Sequence, residues 1–196
     1  MRHQQQFNIF FKTLLKNLSL IALLSVFLIQ YLFLYHIIID ENNNWFTAVF
    51  CLALCLLIGL AYAYFFLRKL TFILIGFTNI FGLMGAALLT SFLNLEMGLG
   101  AVVSSAGLGS LVSFIPNKSS KYIDINNLKL AVYCGSFIGM DSNTLSQDYS
   151  FIALASFISG LYFCFSSNWL NGFGGKLGTL AFTGVAYALF INFLTT

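Results

Sequence analysis

The residues best suited to chemistry are a cluster of serines and glycines in the middle of the chain: Ser104, Ser105, Gly107 and Gly109. They lie in an apolar segment, where a serine hydroxyl or a backbone group beside a glycine can hold a small polar solute or an ion. Glycines also interrupt transmembrane helices, and transporters build substrate sites at such interruptions. The cluster therefore predicts one side of a substrate pathway.

A second cluster of the same composition lies in the next apolar segment and consists of Gly135, Ser136 and Gly139. We expect it to line the opposite side of the pathway. Asp141 follows directly and has two interpretations: it binds a cation in a cavity, or it anchors a helix end at the membrane interface. Since no charge lies within the two clusters, the predicted solute is small and neutral, or an ion held by hydroxyls and carbonyls.

A third glycine group precedes the last apolar segment and contains Gly174, Gly175, Lys176 and Gly178. Successive backbone N–H groups at a helix start, beside a lysine, can hold an anion or a lipid headgroup. The P-loop pattern is not met, because Leu177 follows the lysine where serine or threonine is required. The alternative is a tight turn whose glycines let the last two helices approach.

Catalysis is not expected from this chain. Its two histidines, His3 and His36, lie far in sequence from the serine clusters, so no serine has the neighbouring base that nucleophilic catalysis requires. The sequence contains no H-E-x-x-H motif, no C-x-x-C pair and no cluster of acidic residues suited to a metal. We therefore predict neither an enzyme nor a bound cofactor or metal.

The composition is that of an integral membrane protein. Of 196 residues, 59% are hydrophobic and 8% are charged, and the mean hydropathy is +0.90. A water-soluble domain carries about 25% charged residues, so there is too little charge here to cover a soluble surface. The net charge of +3 is spread over short loops, where basic residues report membrane topology, and no nucleic-acid partner is expected.

The apolar segments predict an all-α bundle of about seven transmembrane helices. We place these segments at residues 18–39, 45–67, 70–93, 97–115, 128–140, 149–165 and 177–194. Residues 1–17 are predicted to form an amphipathic cytoplasmic lead-in, and residues 18–196 a single transmembrane domain. Segment 128–140 is short for a full crossing, so six spans plus a re-entrant segment is the alternative.

The charged residues test this topology. With the N-terminus in the cytoplasm, all nine basic residues fall on the cytoplasmic side, as the positive-inside rule requires. The acidic residues then fall outside, except Asp124. This distribution holds only if segment 128–140 crosses the membrane. The predicted location is a bacterial inner membrane.

Pairs of small residues four positions apart occur on four of the predicted helices, and such pairs let helices approach closely in lipid. They are Gly100–Ser104, Gly135–Gly139, Ser156–Gly160 and Gly184–Ala188. Two functions fit this chain: a small transporter or channel subunit with a Gly/Ser-lined pathway, or a membrane scaffold that docks partner helices through its small-residue faces. The expected partners are membrane lipid and either further copies of the chain or a membrane complex, because so small a chain needs partners to enclose a pore.

Overall fold

A computed structural model of the protein describes residues 2–40, 45–67, 76–116, 124–141, 148–166 and 175–195. These ranges contain seven α-helices and no β-strand, which confirms the predicted all-α class for this part of the chain. The helices are α1 (Arg2–Asp40), α2 (Trp45–Leu67), α3 (Thr78–Leu95), α4 (Ala101–Ser113), α5 (Ile125–Ile138), α6 (Tyr149–Phe165) and α7 (Lys176–Thr195).

Among the residues that the structure describes, four helical segments are long and apolar enough to cross a membrane. They are Leu20–Asp40, Trp45–Tyr64, Thr78–Leu95 and Lys176–Thr195. Helices α4, α5 and α6 are shorter, at 13, 14 and 17 residues. At 1.5 Å per residue, α4 and α5 are only about 20 Å long, against a hydrocarbon core of about 30 Å. The described part of the chain is thus apolar and helical with four candidate spans, and the total of seven spans stays a prediction.

The helices group into two compact units, α1 with α2 and α3 with α4–α7. In the first unit the helices are joined by two tyrosine hydroxyls. Tyr31 donates a hydrogen bond of 2.5 Å to the carbonyl of Cys55, and Tyr62 donates one of 3.2 Å to the side-chain oxygen of Gln30. Helix α1 runs without a break through the predicted lead-in and the predicted first span.

In the second unit α3 is central and its neighbours alternate in direction. Gly160, near the end of α6, packs against Ile80 at the start of α3. At the opposite end Tyr149, the first residue of α6, donates a hydrogen bond of 3.2 Å to Glu96. Helices α3 and α6 are therefore antiparallel.

Glycines set the closest helix contacts in this unit. A Cβ atom at Gly139 of α5 would overlap the carbonyl oxygen of Ala87 on α3. On α7, a Cβ at Gly184 would lie 2.5 Å from the carbonyl oxygen of Ala155 on α6. Since no side chain larger than hydrogen fits at either position, α5 and α7 each lie backbone to backbone against a neighbour.

Two helices of the second unit begin at an aspartate N-cap. The carboxylate of Asp124 accepts a hydrogen bond of 3.1 Å from the backbone N–H of Asn126, and Asp148 accepts one of the same length from Ser150. Both bonds satisfy a backbone donor that has no partner within the helix. The Asp124 cap starts α5 three residues before the predicted segment at Leu128.

The alternation of helices separates the charged residues of this unit. Lys129 near the start of α5 and Lys176 at the start of α7 lie at one end of the bundle. Glu96, Asp141 and Asp148 lie at the other end, next to the last turn of α3 and α5 and the first turn of α6. This is the separation that the positive-inside rule requires of helices that alternate in direction. Asp124, the N-cap of α5, lies at the basic end as the expected acidic exception. Two further basic residues predicted inside, Lys118 and Lys121, lie outside the described residues.

Candidate functional site

An open groove runs between α4 and α5 and has a volume of about 490 Å³. Five of the residues that line it carry a hydroxyl group, Ser105, Ser110, Ser113, Tyr133 and Ser136. The rest of the lining is apolar and includes Val102, Ala106, Phe137 and Met140. The groove is therefore a strip of hydroxyls framed by apolar side chains, and none of its lining residues carries a charge.

The two helices that form the groove are held together by a glycine and a tyrosine. The ring of Tyr133 on α5 lies against Gly109 on α4, where an added Cβ atom would be 2.9 Å from the ring. The Tyr133 hydroxyl donates a hydrogen bond of 3.1 Å to the Gly109 carbonyl. Helix α4 itself starts at Gly100, whose φ of +84° is a conformation that other residues rarely adopt.

A serine pair forms the floor of the groove. Ser105 on α4 donates a hydrogen bond of 3.0 Å to the hydroxyl of Ser136 on α5, and both residues are buried. Ser136 in turn donates a bond of 2.9 Å to the backbone carbonyl of Tyr133 in its own helix. The two predicted clusters thus meet directly through one residue of each.

Two further serines lie along the exposed side of α4. Ser110 donates a hydrogen bond of 2.8 Å to the carbonyl of Ala106, and Ser113 donates one of 2.7 Å to the carbonyl of Ser110. The ammonium group of Lys129 lies 3.4 Å from the Ser113 carbonyl and donates to it. The groove therefore ends, at the basic end of the bundle, beside a positive charge.

The structure brings together only part of the predicted pathway. Ser105, Gly109 and Ser136 line the groove. Gly135 and Gly139 instead pack against α3, where a Cβ atom would overlap the carbonyl oxygens of α3 residues. Their glycine character is accounted for by helix packing.

The remaining predicted pathway residues lie away from the groove. The buried hydroxyl of Ser104 donates a bond of 2.8 Å to the Gly100 carbonyl. Gly107 is exposed and has open space around its Cα atom, and Asp141 is partly exposed just beyond the end of α5. A role for any of the three in transport stays a prediction.

Two residues that line the groove, Ser113 and Tyr133, were not among the predicted pathway residues. Tyr133 precedes Ser136 by three positions, which places both on the same face of a helix, and this spacing was the available signal. Ser113 follows Ser110 by three positions and Gly109 by four, and extends the same face of α4.

The predicted anion or headgroup site is described only in part, because Gly174 lies outside the described residues. Gly175 has a φ of +90°, and Lys176 is the half-buried first residue of α7. Gly178 is exposed, with no atom of another element within contact distance. Neither glycine brings α7 close to α6, since Gly184 makes that contact.

Three of the four small-residue pairs are used inside the second unit. The glycines of these three pairs each lie against a neighbouring helix: Gly135, Gly139, Gly160 and Gly184. The non-glycine members of the pairs, Ser156 and Ala188, are fully buried. Only the pair Gly100–Ser104 has no such contact at its glycine, which is the N-cap of α4. These faces are occupied within the chain itself.

The described residues contain no group of three histidine, cysteine or acidic side chains that could hold a metal ion. All four cysteines are free thiols. On the exposed end of α1, the Nδ1 atom of His36 lies 2.8 Å from a carboxylate oxygen of Asp40. The groove thus offers hydroxyls and apolar contacts as its binding chemistry.

Comparison with protein families, with curated proteins and with solved structures finds no match for this chain.

Proposed function

We propose that this chain is a small transporter or channel subunit that moves a small neutral solute or an ion along the groove between α4 and α5. The observation that supports this proposal is the hydrogen bond between Ser105 and Ser136 on the groove floor. It joins one residue of each predicted cluster on the floor of the same groove. Ser110 and Ser113 add hydroxyl oxygens on the exposed side of α4, where water or a polar solute can contact them.

A second copy of the chain would complete the pathway. The groove is a half-open surface in one chain, and a channel requires walls on all sides. In a homo-oligomer, two such grooves that face each other would enclose the serines. In a complex with another membrane subunit, that subunit would supply the facing wall. Membrane lipid would then surround the exposed leucines and phenylalanines of the outer helix faces, and nucleic acid, cofactor and metal play no part.

The separation of charges supports the proposed orientation. Lys129 and Lys176 would face the cytoplasm, and Glu96, Asp141 and Asp148 the opposite side. We propose a bacterial inner membrane, with the N-terminus and the basic ends of α5 and α7 on its cytoplasmic side.

The scaffold function is the second candidate, and one observation favours it. Ala106, Gly107 and Ser110 form an exposed small-residue flank on α4, against which a partner helix could pack closely. The other small-residue faces do not favour it, since Gly139 and Gly184 already pack within the chain.

Cysteine accessibility separates the two functions. Single cysteines would replace Ser105, Ser110 and, as a matched control on the same helix, Leu111, in a background with the four native cysteines replaced. Leu111 is 68% exposed but does not line the groove. Each variant, reconstituted in lipid vesicles, would be treated with a membrane-impermeant thiol reagent.

If the groove is the pathway, we expect labelling at Ser105→Cys and Ser110→Cys and protection at Leu111→Cys. Protection at all three positions, with full labelling after denaturation, would overturn the pathway and favour a groove covered by a helix or by lipid. Labelling at all three would show that α4 is exposed to water on every side and would contradict its place in the membrane.

A further inference from the structure

We infer that the groove between α4 and α5 selects neutral solutes that carry N–H or O–H groups, the class that includes simple amides and polyols. This inference rests on the proposed function and narrows its substrate class. It depends on the direction of every hydrogen bond that the groove's hydroxyls make.

Each hydroxyl group has a single hydrogen to donate, and on the groove floor all of these hydrogens are already used. Ser105 donates to Ser136, and Ser136 donates to the Tyr133 carbonyl. The Tyr133 hydroxyl donates to the carbonyl of Gly109. Since Ser136 is only 1% exposed, the lone pairs of Ser105 and Tyr133 are what the floor can still offer to a ligand.

The same holds along the exposed side of α4. Ser110 and Ser113 both donate to backbone carbonyls of their own helix. All five hydroxyls of the lining therefore serve as donors within the protein. A solute that donates a hydrogen bond can use their lone pairs while every internal bond stays in place. A solute that only accepts would gain a bond only where an internal bond is broken.

Charged solutes fit this lining poorly. An anion needs several donors, and within the lining each would have to be taken from an existing bond, since Lys129 lies only at one end of the groove. A cation would find acceptor oxygens, but the lining holds no carboxylate to compensate its charge, and Lys129 stands at the basic end of the groove. The cost of a charge that the lining does not compensate is high in an apolar setting.

The test compares two isomers of equal composition, propionamide, which has two N–H groups, and N,N-dimethylformamide, which has none. The full chain would be reconstituted in lipid vesicles, and solute entry followed by light scattering after an osmotic shift. Entry into protein-free vesicles is subtracted for each solute. Chloride and sodium entry would be measured in the same vesicles.

We expect protein-dependent entry of propionamide to exceed that of its isomer by about two- to tenfold, the effect of one net hydrogen bond. Chloride and sodium entry should stay at the protein-free level. Three results would overturn the selectivity and leave the pathway in place: equal entry of the two isomers, faster entry of N,N-dimethylformamide, or protein-dependent ion entry. Protein-dependent entry of none of these solutes would overturn the pathway, and the inference with it.

A variant ties the selectivity to the groove floor. Ser105→Ala removes one acceptor, while Ser136 keeps its own bond to the Tyr133 carbonyl. It should lower the protein-dependent entry of propionamide by about two- to tenfold. The matched control is Ser156→Ala on α6, since Ser156 is buried and donates to a backbone carbonyl of its own helix but does not line the groove. An equal loss in both variants would assign the effect to general destabilisation and overturn the assignment to the floor.

Discussion

The hydroxyl of Ser105 on α4 donates a hydrogen bond of 3.0 Å to the hydroxyl of Ser136 on α5. It joins the two serine and glycine clusters of the sequence in one contact, on the floor of an open groove. The bundle is held together mainly by close apolar packing. Among the described residues, this bond joins α4 to α5 through two side-chain hydroxyl groups. The pathway and the selectivity proposed for this protein both depend on it.

The Ser105–Ser136 bond should be measurable as a coupling free energy. In a double-mutant cycle of Ser105→Ala and Ser136→Ala, we expect a coupling of about 0.5–1 kcal/mol in the free energy of unfolding, the usual range for interhelical hydrogen bonds in membrane proteins. Reversible unfolding in mixed detergent micelles provides the measurement.

The control cycle pairs Ser105→Ala with Ser156→Ala, because Ser156 lies on α6 and bonds within its own helix. These two substitutions should be additive. A coupling between Ser105 and Ser136 as small as that of the control pair would contradict the hydrogen bond.

Gly139 should not tolerate a methyl group. A Cβ atom there overlaps the Ala87 carbonyl oxygen and lies 2.6 Å from the Cβ of Thr90. Gly139→Ala should therefore lower the free energy of unfolding by about 1–3 kcal/mol, the cost of overpacking. Gly85→Ala on α3 is the matched control, since a Cβ at Gly85 meets no atom. Its stability should be unchanged or higher by up to about 1 kcal/mol, because alanine favours the helix. Equal effects would contradict the α3–α5 contact.

The Asp148 cap should make the start of α6 sensitive to acid. Hydrogen bonds from the backbone and side chain of Ser150 hold the pKa of the Asp148 carboxyl below its ordinary value of 3.8. A lowered pKa means that the stabilisation is complete above the ordinary value and is lost as the pH falls through the lowered one.

The comparison is with Asp148→Asn, which keeps a capping oxygen but does not titrate. As the pH falls from about 5 to 3, thermal unfolding of the unsubstituted protein should shift down more steeply than that of the variant. The hydrogen bond from Tyr149 to Glu96 is present in both proteins, so its contribution cancels in the comparison. Identical pH profiles would argue against the cap.

The two ends of α5 should be accessible from opposite sides of the membrane. Asn126 is exposed at the basic end of the helix, and Asp141 lies just beyond its other end. Single cysteines at these positions should react with an impermeant thiol reagent from the cytoplasmic and the outer side, respectively. Labelling of both from one side would show that α5 re-enters and would leave six spans.

Much of the helical structure was predictable, because long apolar runs bounded by charge or by glycine have one stable arrangement in lipid. The predicted segments 45–67 and 149–165 agree with α2 and α6 to the residue. The start of α5 was missed by three residues. Asn126 and Asn127 look like loop residues, but Asp124 caps the helix that contains them and accepts a hydrogen bond from each.

The rotation of each helix was not predictable, and it decides which clustered residues meet. Both faces of these helices are apolar, so the pattern of hydrophobic residues does not tell the inner face from the outer one. For this reason Gly107 and Gly109 look equivalent in sequence, although one is open and the other lies under Tyr133. The donor and acceptor roles of the hydroxyls depend in turn on those contacts.

The most direct test of the proposed pathway combines labelling with transport. Ser110→Cys, in a background without native cysteines, places one thiol on the exposed wall of the groove. Propionamide entry into reconstituted vesicles would be measured before and after treatment with a bulky impermeant thiol reagent. The extent of labelling would be measured by mass spectrometry. We expect complete labelling and a fall of protein-dependent entry to the level of protein-free vesicles. Undiminished protein-dependent entry after complete labelling would contradict a pathway along this groove.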